Sequence, residues 1–224
     1  SPAPTPQAAA LRLKTGQVFN GKSFGAQHSV FGETVFSTSI TSYTESLTDP
    51  SYEGQILVLT YPLIGNYGVP KRSAGETQPR LAAPFESSRI HVAGLVVAYY
   101  SQDFSHYLAA SGLGDWLKEN GVPAVYGIDT RALTKRIRTK GSMLARLLAP
   151  NGQPALPPTD GTNNWRARFH DVAWHDPNGE HLVQKVSCKA PMLYTPEDTQ
   201  PAGLRTANEP TLLHGSGRPI RILA

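Results

Sequence analysis

Residues 123–148 read PAVYGIDTRALTKRIRTKGSMLARLL, and their pattern decides the class of fold. Pro123–Ile128 is short, apolar and bounded by a proline, which predicts a strand. Asp129 follows as a good N-cap, because its carboxylate can accept an amide of the next turn. Leu133 and Ile137 stand four apart, so one helical face carries both inward, and Gly141 ends the helix. Met143–Leu148 predicts another strand immediately afterwards. A strand, a capped helix and a strand in direct succession predict a fold that mixes both element types.

Working outward, Ser111–Asn120 predicts a short helix closed by Asn120-Gly121, with Leu113, Trp116 and Leu117 on one face. Ile90–Tyr100 reads as a strong strand. Gln55–Tyr61 reads as a strand buried on both faces, because it is apolar at successive positions rather than alternate ones. Earlier still, Leu11-Arg12-Leu13, a turn at Thr15-Gly16 and Val18-Phe19 predict a hairpin, with a second turn at Asn20-Gly21. A further strand is expected over about residues 30–38. Hairpins early and a β-α-β-α-β run later give an α/β or α+β class. Around this unit, residues 1–10 read as a disordered tail and 71–84 as a surface insertion. Residues 149–164 read as a linker. In 165–188, a short strand is expected near Asp171–Trp174 and a helical turn near His181–Ser187. Residues 189–224 read as extended and Pro-punctuated. There is no internal repeat.

Charged residues are 17% of the 224, below the usual ~25%, and the net charge of +4 is diluted over the chain. That argues against an electrostatic nucleic-acid binder. The longest apolar runs, Ile56–Leu59 and Leu95–Tyr100, are far below the ~20 residues of a membrane helix, so no membrane span is expected. A single cysteine, Cys188, excludes an internal disulfide and any CxxC motif, and fits a cytoplasmic setting. Ser1 is not Met, and Arg218–Ala224 reads as a strand that stops as it begins. The expectation is a piece of something longer.

Several candidate sites are weak. His170, His175 and His181 lie among acidic residues, but spacings of five and six put no two on one helical face, so no metal site is expected. Cys188 could pair with a histidine as a nucleophile, yet Val186-Ser187-Cys188-Lys189-Ala190 is no strand-turn-helix elbow. Gly112-Leu113-Gly114 and Gly215-Ser216-Gly217 are incomplete phosphate-loop fragments. Arg131, Lys135, Arg136, Arg138 and Lys140 give one helix a basic face, solvated by default and able to dock an acidic partner. Thr48-Asp49-Pro50-Ser51-Tyr52 is more informative. Asp49 as cap and Pro50 at the first helical position would start a turn before the next strand. Ser51 would then present a hydroxyl and an amide to a carboxylate, or the segment is an ordinary tight turn.

Gly32-Glu33, Val35-Phe36 and Thr38 are followed by Leu47–Tyr52 with Gln55-Ile56, then by Pro62 and Ile64-Gly65-Asn66-Tyr67-Gly68. Phe85-Glu86-Ser87, Tyr100-Ser101, Ser105-His106, Leu113-Gly114, Trp116-Leu117 and Pro123–Arg131 continue in order. Together they resemble the amino-terminal domain of the glutamine-dependent carbamoyl-phosphate synthetase small (glutaminase) subunit, densely over 11–148 and loosely over 166–188. Val58–Pro62 and Ser88–Gly94 look most like the fungal multifunctional pyrimidine-pathway protein. The same domain of the arginine-pathway small subunit is the runner-up.

The resemblance implies a swivelling β/β/α-type domain that packs against the synthetase and adjoins a class I glutaminase domain carrying a Cys-His-Glu triad. Residues 165–188 would complete that domain, and 189–224 would lead into the first strand of a truncated glutaminase domain. No catalytic residue, metal site or cofactor is then expected in this chain. ATP and magnesium would belong to the synthetase part. The resemblance assigns Ser51 a contact with glutamine, supported by Asp49, Pro50 and Tyr52. Where relatives usually have Thr-Gly-x-x-Gly-Tyr-Pro-Glu, this chain has Thr38-Ser39-Ile40-Thr41-Ser42-Tyr43-Thr44-Glu45. If the lost glycines held φ > 0, that loop must differ or be strained. Two other functions stand beside this one: a free-standing hydrolase using Ser51 or Cys188 with a histidine, and an independent ligand-binding or adaptor module.

Overall fold

The computed structural model describes residues 7–40, 42–71, 84–150, 174 and 176–188. Among them, the strands in chain order are β1 Ala8–Leu13, β2 Val18–Ser23, β3 Val30–Ser37, β4 Gln55–Leu59, β5 Val69–Pro70, β6 Gly94–Val97, β7 Ala109–Ser111, β8 Ala124–Tyr126 and β9 Met143–Leu148. The helices are α1 Tyr43–Thr48, α2 Leu113–Glu119, α3 Thr130–Lys140 and a short helix Leu182–Val186. Seven strands close into a barrel in the order β1-β2-β8-β6-β4-β3-β9, which leaves no free edge. β3, β4, β6 and β8 are parallel neighbours. β1, β2 and β9 complete the ring through antiparallel ladders. β5 and β7 form a separate antiparallel pair.

The side-chain period of two sorts the central strands onto two cores. Ile56 and Val58 of β4, Val96 of β6 and Val125 of β8 point into the barrel with Leu11, Leu13, Ala145 and Leu147. Leu133 and Ile137 of α3 join this inner cluster. Leu57 and Leu59 of β4 and Leu95 and Val97 of β6 face the other way. They are covered by Tyr43 and Leu47 of α1 and by Leu113, Trp116 and Leu117 of α2. The expectation of burial on both faces therefore holds for β4, and it extends to β6. Each fully buried leucine in these layers contributes roughly 1.5–3 kcal/mol relative to exposure.

The quoted stretch folds as read. Asp129 Oδ1 accepts the Ala132 N–H at 2.9 Å, and Gly141 closes α3 at φ +83°. Its last strand, β9, lies between β1 and β3, antiparallel to both. Other readings need correction. The first strand begins at Ala8, inside the expected tail, because Ala8-Ala9-Ala10 pair with Lys22, Gly21 and Asn20. Asn20-Gly21 is not a turn but lies within β2. There a Cβ on Gly21 would meet the Tyr126 carbonyl oxygen at 2.5 Å, so close approach to β8 requires the glycine. The strand expected over Ile90–Tyr100 is confined to Gly94–Val97. The residues before it are buried but spend their amides elsewhere, His91 N–H on Leu47 O and Ala93 N–H on Gln55 O.

The helical turn expected near His181 is the helix Leu182–Val186, and His181 Nδ1 accepts the Gln184 N–H at its start. Residues 72–83 of the expected insertion, most of the linker, His170, His175, Gly215–Gly217 and everything after Cys188 lie outside the described residues. Among the described residues no helix is long and apolar enough to cross a membrane.

Candidate functional site

Asp49, Pro50, Ser51 and Tyr52 form a 3₁₀ turn, Pro50–Tyr52, directly before β4. Pro50 supplies the fixed φ at the first position, where no N–H is needed. Tyr52 N–H donates to Asp49 O and Glu53 N–H to Pro50 O, both at 3.1 Å. Tyr52 is half-buried against the outer core and anchors the turn, while Ser51 is exposed. The cap differs from the expected one in a way that matters. Asp49 Oδ1 accepts the Ser51 N–H itself, at 2.8 Å. The amide expected to meet a ligand carboxylate is thus already engaged, and the turn presents the Ser51 hydroxyl alone.

On the upstream side, Thr48 is buried and hydrogen-bonded in three directions. Its Oγ1 donates to Thr44 O at 2.8 Å and accepts the Glu86 N–H at 2.9 Å, and its carbonyl accepts Ser87 Oγ–H at 2.6 Å. Downstream, Glu53 Oε2 receives Arg89 Nη2 at 2.9 Å and lies 2.5 Å from His91 Nδ1. His91 Nε2 lies 2.9 Å from Ser87 Oγ. Gly54, at φ +73°, closes the segment; a Cβ there would stand 3.4 Å from Pro177 Cβ. The buried Pro177 therefore stands beside Gly54 at the end of the turn. Trp174 is held further round the barrel, where its ring lies 4.2 Å from the Arg146 guanidinium carbon, with Phe31 also stacked on that group.

The loop before α1 completes the neighbourhood. Tyr43 and Tyr67 stack at 4.0 Å, Tyr43 O–H donates to Gly68 O at 2.6 Å, and Tyr67 Oη accepts the Tyr43 N–H at 2.7 Å. Burial pushes the Tyr43 phenol far above its ordinary range and the Tyr67 phenol up to about 12. Glu45 is raised by burial, with the charge of Glu86 adding to it. Ser42 adopts the left-handed conformation, φ +72° and ψ +39°, and does not cap α1 with its side chain. The strain expected from the lost glycines is thus present at Ser42. Ser39 is not at positive φ.

The structure brings together Asp49, Pro50, Ser51 and Tyr52, as the spacing required. It also adds Glu53, Ser87 and His91, which the sequence reading missed. Glu53 and His91 are 38 positions apart, and no local pattern pairs them. Gly114 of the supposed phosphate-loop fragment has another use: its N–H donates to Tyr100 Oη at 3.2 Å, where a Cβ would collide with that oxygen. Cys188 is exposed.

With this geometry in place, comparison with known proteins is decisive. The family described as carbamoyl-phosphate synthase small chain, CPSase domain, matches residues 11–147. The chain belongs to this family. The chain is 49% identical over 225 residues to the multifunctional protein pyr-3 of Neurospora crassa, covering 99% of this chain and 12% of that protein. It is 50% identical over 217 residues to the multifunctional protein URA2 of Saccharomyces cerevisiae, covering 96% and 9%. Identity is 45% over 197 residues to the carbamoyl phosphate synthase arginine-specific small chain of Aspergillus niger, covering 88% and 40%. These two fungal multifunctional proteins match more closely and over more of the chain than that arginine-specific small chain does. The chain spans about a tenth of their length.

Proposed function

We propose that this chain is the non-catalytic, synthetase-docking part of a glutamine-hydrolysing carbamoyl-phosphate synthetase of pyrimidine biosynthesis, and that it lends Ser51 to the adjacent glutaminase. The observation that carries the reading is the exposed Ser51 hydroxyl, held on a capped turn between α1 and β4 in a domain of this family. A class I glutaminase domain would release ammonia from glutamine, and the synthetase region would combine it with bicarbonate at the expense of ATP, with magnesium. This chain supplies neither the nucleophile nor the nucleotide site, so alone it has no glutaminase activity. Tyr107, 87% exposed, and Tyr99, 69% exposed, lie with Leu108 on the loop between β6 and β7 and support a docking role for that loop.

Within this reading, the Ser51 hydroxyl donates to the α-carboxylate of glutamine, remote from the amide that is cleaved. A hydrogen bond to a charged group contributes roughly 1.5–3 kcal/mol. It touches a group that does not react, so its loss weakens ground state and transition state alike. In the full-length enzyme, Ser51→Ala should raise KM for glutamine about ten-fold with kcat nearly unchanged. Carbamoyl phosphate synthesis from free ammonia bypasses this contact and should keep its rate. An unchanged KM, or an equal loss with ammonia, would reduce Ser51 to a turn residue.

A further inference from the structure

We propose that His91 is the positioning residue for Ser51, a role that rests on the reading of Ser51 as a glutamine contact. An exposed turn gives up conformational entropy when one hydroxyl is held in place, so something rigid must restrain it. Here both ends of the turn lead to the same buried ring. Upstream, the Thr48 carbonyl accepts from Ser87 Oγ, and Ser87 Oγ meets His91 Nε2. Downstream, Glu53 Oε2 meets His91 Nδ1. The backbone of His91 repeats the clamp: its N–H donates to Leu47 O at 2.9 Å, and its carbonyl accepts the Gly54 N–H at 3.1 Å. His91 thus spans the turn from just before it to just after it.

Counting hydrogens shows why histidine suits the place. Ser87 Oγ has one proton, which it gives to backbone carbonyls that only accept, Thr48 O at 2.6 Å and Arg89 O at 3.0 Å. Towards His91 it is therefore the acceptor, and Nε2 carries a hydrogen. Glu53 Oε2, which also receives Arg89 Nη2, lies 2.5 Å from Nδ1, so one further proton is shared between that oxygen and Nδ1. A rigid ring that hydrogen-bonds at opposite edges joins two partners, one on each side of the turn. The same count disposes of a hydrolase triad made of Ser87, His91 and Glu53. A general base must accept the serine proton, whereas this serine has turned its proton to a carbonyl.

The test uses the full-length enzyme, with glutamine- and ammonia-driven carbamoyl phosphate formation measured side by side. Glutamine at position 91 can donate from only one edge, so His91→Gln loosens one end of the clamp. It should raise KM for glutamine about three- to ten-fold and leave kcat within about two-fold, the pattern of lost uniform binding. In a Ser51→Ala background the same change should move KM by less than about two-fold, because the group it positions is gone. An unchanged KM in His91→Gln alone, or the same factor in both backgrounds, overturns the proposal. If Ser51→Ala itself leaves KM unchanged, the glutamine-contact reading fails, and the positioning role falls with it for that separate reason. Should His91→Gln depress the ammonia-driven rate through misfolding, Ser87→Ala breaks the bridge at its other end. It should raise KM by about two- to three-fold, again only when Ser51 is present; no change there overturns the proposal equally.

Discussion

Helix α3 opens on Asp129, whose carboxylate takes the Ala132 N–H, and closes on Gly141 in the left-handed region. Helix α1 opens on Ser42, itself left-handed, and its Ser42 side chain offers no cap. α3 has eleven residues and places Leu133 and Ile137 in the barrel core. α1 has six, too few to form a stable helix in isolation, and places Tyr43 and Leu47 on the outer core. One helix is stabilised by its own ends. The other is held by its neighbours: Tyr67 takes the Tyr43 N–H, Gly68 takes the Tyr43 phenol, and the two rings stack. The helix that depends on tertiary contacts is the one that leads into the Ser51 turn. Local weakness and the proposed glutamine contact coincide, as expected where a chain must serve a site rather than its own stability.

The largest effects should come from emptying the two cores beneath these helices. Leu133 and Leu47 are both fully buried, so Leu133→Ala and Leu47→Ala should each cost about 2–5 kcal/mol in urea unfolding. Native-state hydrogen exchange should separate them. Leu133→Ala should lower protection throughout the barrel, and Leu47→Ala should add a local opening of residues 42–48. Equal behaviour in both would abolish the distinction between a helix that stands and a helix that is held.

A smaller effect tests the tyrosine pair. Tyr67→Phe removes the acceptor of the Tyr43 N–H and should cost about 1–2 kcal/mol near neutral pH. Its pH dependence has a definite sign. The Tyr67 phenol is pushed up to about 12 in the fold and titrates at the ordinary value of 10 in the unfolded chain. Stability from the neutral phenol is therefore complete below pH 10 and is lost as pH rises from 10 towards 12. Unfolding measured at about pH 8 and about pH 11 should show the gap between wild type and Tyr67→Phe narrowing. A gap that is constant or widens would mean that the phenol is not desolvated.

The same contrast explains what the amino-acid sequence discloses by itself. α2, α3, β4 and β9 were legible because caps, apolar spacing and glycine stops are local. α1 was not read at all: Ser42-x-x-Glu45 has the spacing of a capping box, but Ser42 is left-handed and makes no side-chain cap, and the helix is held by Tyr67 and Gly68 more than twenty positions away. Asn20-Gly21 misled for a related reason: the glycine answers a neighbouring strand, not a turn. At the site, Asp49 and Pro50 announced the turn itself. The engagement of the Ser51 amide by Asp49 was not foreseen, because the cap could equally have reached the next residue. Glu53 and His91 stayed invisible because nothing in either segment specifies a partner 38 positions away.

The smallest effect is the sharpest test of α1. A left-handed conformation costs a residue with a Cβ about 1–2 kcal/mol, and Ser42 holds φ +72°. Ser42→Gly removes that cost but adds freedom to the unfolded chain, worth about 0.4–1 kcal/mol in the other direction. The net should be a gain of about 0.5 kcal/mol, a urea midpoint raised by roughly 0.2–0.5 M. Ser39 supplies the control, because it replaces a glycine in the same motif without being at positive φ. Ser39→Gly should therefore bring no relief and lose about 0.5 kcal/mol to the unfolded state. Opposite signs at two serines three residues apart would show that one departure from the family's glycines stores strain at the start of α1 and the other does not. A loss at both would mean that the bonds around Tyr43 and Tyr67 tolerate Ser42 at no cost.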